Sequence, residues 1–256
     1  MSQYPMDLQH PDEDFVACWR AAGVHLSEFG DGVVNNWLRA HVSPPFMEHL
    51  SFRLGNQLFF IRIEDEDDRI QIPGSRNSLE LIASNSKGHA CLMPMKMTSD
   101  GWSPSYSGWG LLDLNTNRPI DPAEFITDVQ IEMTDWELQD FAVQVVRQLI
   151  EKEGFSVISW HGNPETSPSI WFDAGKGPEW VVVRAVRYPV ESALIPLDID
   201  EIAQTCRFMS EIGHFASVAV ICEDGMFEAE NLVLRGHALH VRYLGLERLE
   251  LPHNFI

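Results

Sequence analysis

Hydrophobic positions along the chain switch between two spacings, and the switches mark the predicted elements. Residues 12–22 (DEDFVACWRAA) carry apolar side chains at helical intervals. Asp12 to Asp14 put acid at the positive end of the helix dipole, and Gly23 is the expected stop. Residues 32–41 read as a second, weaker helix that halts before Pro44 and Pro45. The period then becomes two. HLSFRL and QLFFIRIE flank Gly55-Asn56, which predicts a tight hairpin of half-buried strands over 48–64. Further on, HACLMPM and GWGLLDL read as short strands, and TSDGWSPSYSG between them reads as a polar loop. Asp121-Pro122 predicts a short helix to Phe125, with proline in its first turn.

The second half patterns more strongly. Thr134 followed by Glu137 is a capping-box signature, and Leu138, Phe141, Ala142, Val145 and Leu149 continue it at helical spacing until Gly154. FSVISW and SIWF predict strands on either side of the loop HGNPETSP. The turn DAGKGP leads into WVVVRAVRY, whose valine run predicts a strand buried on both faces. A helix opens at Asp198 with Glu201 three residues on, and ASVAVIC follows as a fourth, fully apolar strand. GHALHVRYLGLERL adds a further strand or two. The expectation is an α+β or α/β protein with a helix-plus-hairpin region over 1–130 and an α/β domain over 131–256. WVVVRAV and ASVAVIC should lie at the centre of its sheet, flanked by helices over 135–152 and 198–212.

The order helix, strand, strand, strand, helix, strand over residues 134–224 resembles the αβββαβ core of the PD-(D/E)XK, or restriction-endonuclease-like, nuclease superfamily. The resemblance rests on Pro168-Ser169 before SIWF, the hairpin turn, WVVVRAV, and Glu137 in the first helix. It implies a site where two carboxylates converge on a divalent metal and a lysine handles the attacking water. Against that pattern Ser169 stands in place of the aspartate, Val182 and Val183 in place of the strand acid, and Arg184 nearest the lysine. Arginine keeps its proton near neutral pH and serves poorly as a base. The expectation is therefore a degenerate site with no catalytic residues, no cofactor and no metal. The alternative is a metal-dependent nuclease with migrated residues, using Glu137, Asp173 and Arg184. Asp173 also reads as a hairpin residue, and Glu137 as the second half of the capping box.

Charge changes the functional reading. Thirty-eight acids against 18 bases give a formal net charge of −20. Residues 1–130 carry 18 acids and 9 bases, and residues 131–256 carry 20 and 9, so the excess is not confined to a tail. A surface of this sign disfavours nucleic-acid phosphates and anionic membranes and favours a basic protein partner. An acidic binding protein on a degenerate nuclease-like scaffold, of the immunity, antitoxin or inhibitor type, fits this combination. Its candidate contacts are Glu64, Asp65, Glu66, Asp67, Asp68, Glu223 and Asp224, with Glu228 and Glu230 beside the last pair. The 64–68 run lacks the spacing of an EF-hand loop. His89, the His161–Ser167 loop, and His237 with His240 make no nucleophile–base or metal-ligand pattern. The N-terminal residues have neither a basic stretch nor an apolar run, so no signal peptide is expected. The four cysteines are widely spaced with no CxxC pair; three of them sit in apolar surroundings and read as buried thiols, and a reducing, cytoplasmic setting is expected.

Overall fold

The computed structural model describes residues 2–3, 12–29, 37–39, 49–72, 75–223 and 232–250. The chain is mixed α and β with four α-helices and two mixed sheets among these residues. It divides into two compact units, Leu8–Ile131 and Met1–Asp7 with Glu132–Ile256. A two-residue strand, β1 (Ser2–Gln3), belongs to the second of them.

The Leu8–Ile131 unit opens with α1 (Glu13–Phe29). Asp12 caps it, its carboxylate accepting the N–H groups of Asp14 at 2.8 Å and Phe15 at 3.3 Å. The helix does not stop at Gly23. Phe15, Cys18, Trp19, Ala22 and Leu26 form one buried stripe, and burying Leu26 outweighs the cost of about 1 kcal/mol for an interior glycine. Trp37–Arg39 is a strand, β2, and not the second helix expected over 32–41. It pairs antiparallel with β3 (Leu50–Leu54). Val33, Val34, Asn35 and Asn36, just before it, are all weak helix formers, so a sheet partner decides the local structure. Residues 32–36 and 40–41 of that expected helix lie outside the described residues. The hairpin of β3 and β4 (Gln57–Asp65) turns at Gly55-Asn56, with Gly55 at φ 57°. Helix α2 (Arg76–Asn85) crosses to β5 (His89–Thr98), which runs parallel to β4. A hairpin to β6 (Gly101–Pro104) and a short strand β7 (Leu112–Asp113) complete the sheet, and a 3₁₀ turn spans Pro122–Phe125. The sheet order is β2-β3-β4-β5-β6, with β7 also on β5. Its core joins α1 to Phe52, Phe59, Ile61, Ile63, Cys91 and Met93.

The second unit starts with α3 (Asp135–Lys152), capped by Thr134 and Glu137 as the sequence predicts. The strands β8 (Ser156–Trp160), β9 (Thr166–Ser167, parallel to β1), β10 (Ile170–Asp173) and β11 (Pro178–Arg187) follow. Helix α4 (Ile199–Cys206), shorter than the expected 198–212, crosses to β12 (Gly213–Cys222), and β13 (Leu239–Tyr243) and β14 (Glu247–Arg248) pair back onto β12. The order is β13-β12-β11-β10-β8. β11 is central and β12 lies beside it in a parallel ladder of eight residue pairs, from Trp180↔Gly213 to Arg187↔Val220. Alternation puts Val181 and Val183 into a core with α3, and Trp180 and Val182 into a core with α4. Both faces of β11 are therefore covered, which is why its sequence is a run of valines.

The two units share one plan. Each has a helix, a three-strand antiparallel meander, a helical crossover, a fourth strand parallel to the third, and a fifth strand antiparallel to the fourth. No repeat is visible in the sequence, because the plan needs only the alternation of apolar positions and not particular side chains. No described helix is long and apolar enough to cross a membrane.

Cys18, Cys91, Cys206 and Cys222 are all buried free thiols. Burial pushes the Cys18 thiol up to about 12, with the Asp65 charge adding to the effect. Burial alone pushes Cys206 up to about 12, and burial with Asp113 drives Cys91 in the same direction. Thiolate is the reactive form, so native protein at pH 8 should resist Ellman's reagent and release its thiols only in denaturant. Fast stoichiometric labelling of the native chain would contradict this packing.

Candidate functional site

The residues that the nuclease resemblance singles out lie on or beside α3, β10 and β11, and each is committed to structure. Glu137 is fully buried in the first turn of α3. Its carboxylate accepts two bonds from the Arg235 guanidinium, Nε to Oε1 at 2.8 Å and Nη2 to Oε2 at 2.7 Å. Oε2 also accepts from the Thr134 backbone N–H at 2.8 Å and hydroxyl at 3.0 Å. Arg235 is as buried as its partner. The pair is bidentate, the arrangement in which guanidinium and carboxylate satisfy one another best. A divalent metal would have to displace it.

Ser169, in the aspartate's place, is completely buried. Its hydroxyl accepts from the Val183 N–H at 3.1 Å, its N–H donates to the Val181 carbonyl, and its carbonyl accepts from His161 N–H. Val182 and Val183 are core residues on opposite faces. Beyond the end of β10, Gln139 of α3 takes over the ladder on β11. Its Nε2 donates to the Val183 carbonyl at 2.8 Å, and its Oε1 accepts from the Ala185 N–H at 3.0 Å. A side-chain amide thus imitates a strand residue where the acid-x-Lys of a nuclease would need room. Asp140, also fully buried, packs against Gly162 so closely that a Cβ there would stand 1.8 Å from Oδ1.

Arg184 is partly buried on the α4 face of β11. Nη1 donates to the Val183 carbonyl at 2.9 Å and Nη2 to the Ser167 hydroxyl at 3.2 Å. Burial lowers its basicity and the Asp198 charge opposes that. Asp173 sits at the other end of the hairpin, opposite Pro178, where its carboxylate accepts the N–H groups of Gly175 at 2.7 Å and Gly177 at 3.3 Å. Along β11, position 178 and Arg184 are separated by roughly 20 Å at the usual strand rise. Glu137, Asp173 and Arg184 therefore do not converge, and the three cannot form one metal site. Among the described residues no group of three or more His, Cys, Asp or Glu is placed to hold a metal ion.

The acidic run 64–68 is a folded strand end with its own internal partners. Asp65 is buried, and its carboxylate accepts the N–H groups of Asp67 at 3.1 Å, Arg69 at 2.5 Å and Ile70 at 3.2 Å. Glu64 takes a bidentate pair from Arg76 at 2.8 and 2.6 Å, and Asp67 pairs with Arg69. The run borders a polar recess of about 280 Å³, which Arg62 and Arg76 also line. Glu66 and Asp68 are exposed. Glu223 is exposed and 3.8 Å from His240, and Asp224, Glu228 and Glu230 lie outside the described residues.

Residues 136–249 match the profile of a family described as a domain of unknown function (DUF8840). No curated protein and no solved structure matches the chain.

Sequence reasoning found Glu137 and missed Arg235, its partner 98 residues away, and Gln139. Glu137 tests the structural assignment directly. Glu137→Ala should lower stability by about 3–5 kcal/mol, because it strands a buried guanidinium. Glu137→Leu combined with Arg235→Met should restore a large part of that loss, since both charges of the pair are then removed together. Denaturant unfolding checks both; a mild single and a worse double would mean that the pair does not anchor the fold.

Proposed function

We propose that this chain is a non-catalytic, acidic protein-binding module on a degenerate restriction-endonuclease-like scaffold, acting on a basic partner in the manner of an immunity or inhibitor protein. The observation that carries the reading is the fate of Glu137. The one buried acid that the nuclease pattern offers is consumed by Arg235 and Thr134. The scaffold part is supported by the strand order β8-β10-β11-β12 with β11 and β12 parallel, which is the meander-plus-crossover of the αβββαβ core. The non-catalytic part is supported twice over. The second unit presents Ser169, Val182 and Val183 in place of ligands, and Glu137, Asp173 and Arg184 lie apart.

The partner follows from charge. An excess of 20 acids spread over both halves raises the local concentration of cationic surfaces and repels phosphate backbones. Glu66 and Asp68 are the acids of the 64–68 run best placed to act on encounter, because Asp65 is buried and Glu64 and Asp67 are paired.

Two outcomes test the reading. Purified protein with millimolar Mg²⁺ or Mn²⁺ should leave supercoiled plasmid intact, and calorimetry should find no stoichiometric metal site. Nicking that is abolished by Asp173→Asn would establish the nuclease instead. Proteins captured from the native host should be basic, with association that slows as salt rises, since exposed charges act over about 8 Å at physiological ionic strength. Reversing Glu66 and Asp68 to lysine should cut the association rate more than it raises the dissociation rate. Salt-insensitive binding to neutral or acidic proteins would refute the electrostatic part.

A further inference from the structure

Exposed apolar side chains concentrate in one place in the second unit. The segment from β11 to α4 (188–197, YPVESALIPL) shows Tyr188, Val190, Leu194, Ile195 and Leu197 to solvent, with Leu194 at 87% exposure. Leu244, just after β13, is 73% exposed. Isolated surface leucines are ordinary, but a contiguous apolar patch on a chain this acidic needs a reason.

The segment is held in shape. Tyr188 N–H donates to the Val220 carbonyl and Val190 N–H to Arg187. Ala193 N–H donates to the Ser217 hydroxyl at 2.8 Å, which pins the middle of the segment to β12. Glu191 pairs with Arg242 of β13. The apolar side chains are thus offered by an anchored strap. Two recesses follow one another along β12 beneath it. One of about 390 Å³ is lined by Tyr188, Ala219 and Ile221. The other, of about 610 Å³, is lined by Leu194, Ile195, Phe215 and Leu244.

The lining of this groove carries Glu191 and Arg242, which pair with each other, and Glu247, so the charge left unpaired there is acidic. Between Tyr188 and Cys206 the chain has four acids, Glu191, Asp198, Asp200 and Glu201, and no Lys or Arg. An apolar floor with an acidic surround selects an occupant that is apolar on one side and basic on the other.

We infer that the groove between the 188–197 strap and strands β12 and β13 is a docking site for a protein segment in which apolar residues alternate with Lys or Arg. The inference rests on the basic-partner reading above and adds the place and the apolar half of the recognition. A partner held here would seat its apolar side chains against Leu194 and Leu244, while the acids supply steering and exclude acidic competitors.

The test uses full-length protein and three ten-residue fluorescent peptides, alternating Leu-Lys, alternating Leu-Glu and alternating Ser-Lys, followed by anisotropy. Leu-Lys should bind, Leu-Glu should not, and Ser-Lys should bind at least about tenfold more weakly, which is the worth of burying a leucine side chain or two. Leu194→Ser with Leu244→Ser should weaken Leu-Lys binding by at least the same factor. Both positions are exposed, so an unchanged circular dichroism spectrum and thermal midpoint verify the fold. Leu-Lys binding that the double variant leaves unchanged, but that salt still weakens, overturns the groove while sparing the basic-partner reading. Equal binding of Leu-Lys and Leu-Glu overturns both. Absence of Leu-Lys binding overturns the groove.

Discussion

The second unit is organised around one buried charge pair, Glu137 with Arg235. Taking two charges out of water costs several kcal/mol each, and this is recovered only if every lone pair and donor finds a partner. Glu137 meets that demand from both sides, with the guanidinium on one side and Thr134 on the other. The pair therefore fixes where α3 starts. The chain around it follows: Met133 N–H donates to the Val233 carbonyl, Glu132 bridges to Leu234, and Arg187 at the end of β11 reaches the Met133 carbonyl at 2.6 Å. The first turn of the helix, the end of the central strand and the segment before β13 are thereby fastened at one point. A carboxylate used in this way has no coordination left to give.

Above that point, the sheet obeys a constraint that both units share. A strand joined in parallel to its successor needs a crossover long enough to return to the same end, and a helix is the economical form. The crossover helix covers one face and the opening helix covers the other. The third strand then has no wet side: WVVVRAV shows no alternation, and QLFFIRIE, whose alternation predicts half-burial, is covered on both faces. QLFFIRIE and WVVVRAV are two outcomes of the same requirement. Each admits one arginine, Arg62 and Arg184, and each arginine spends donors on nearby carbonyls or hydroxyls, since neither is fully exposed.

Legibility tracked how local the physics was. The capping box at Thr134, the hairpin at Gly55-Asn56 and the double burial of WVVVRAV are written in a few neighbouring residues, and they stand as the sequence predicts. Helix α2 was unreadable from the pattern because RNSLELIASN buries only Leu79 and Ala83, and its capping box is a Ser–Ser pair with no Glu or Gln. The local pattern at β2 predicts helix because its partner strand lies some 13 residues on, so the bonds that decide its conformation are not local. At the candidate site, Ser169, Val182 and Val183 are legible as residues that ligate no metal, and all three are buried. What stands there instead was hidden, for neither the span from Glu137 to Arg235 nor the use of Gln139 as a surrogate strand residue has a signature in sequence.

The same distinction separates the acids that hold the fold from the acids that face solvent. Glu64, Asp65 and Asp67 read in sequence as one negative patch, yet each is spent on a backbone amide or an arginine of its own chain. A carboxylate that is already neutralised contributes little field at the surface. The charge that reaches solvent is therefore less than the formal count, and it is distributed by what the fold has not used. At the 188–197 strap the acid Glu247 borders exposed leucines, and charge and uncovered apolar surface coincide there on an anchored backbone. Charge alone confers solubility on many proteins, and an exposed leucine alone confers nothing. Their coincidence is what distinguishes this groove, as the place to seek the proposed partner, from the acidic run at 64–68, where the acids have partners in their own chain.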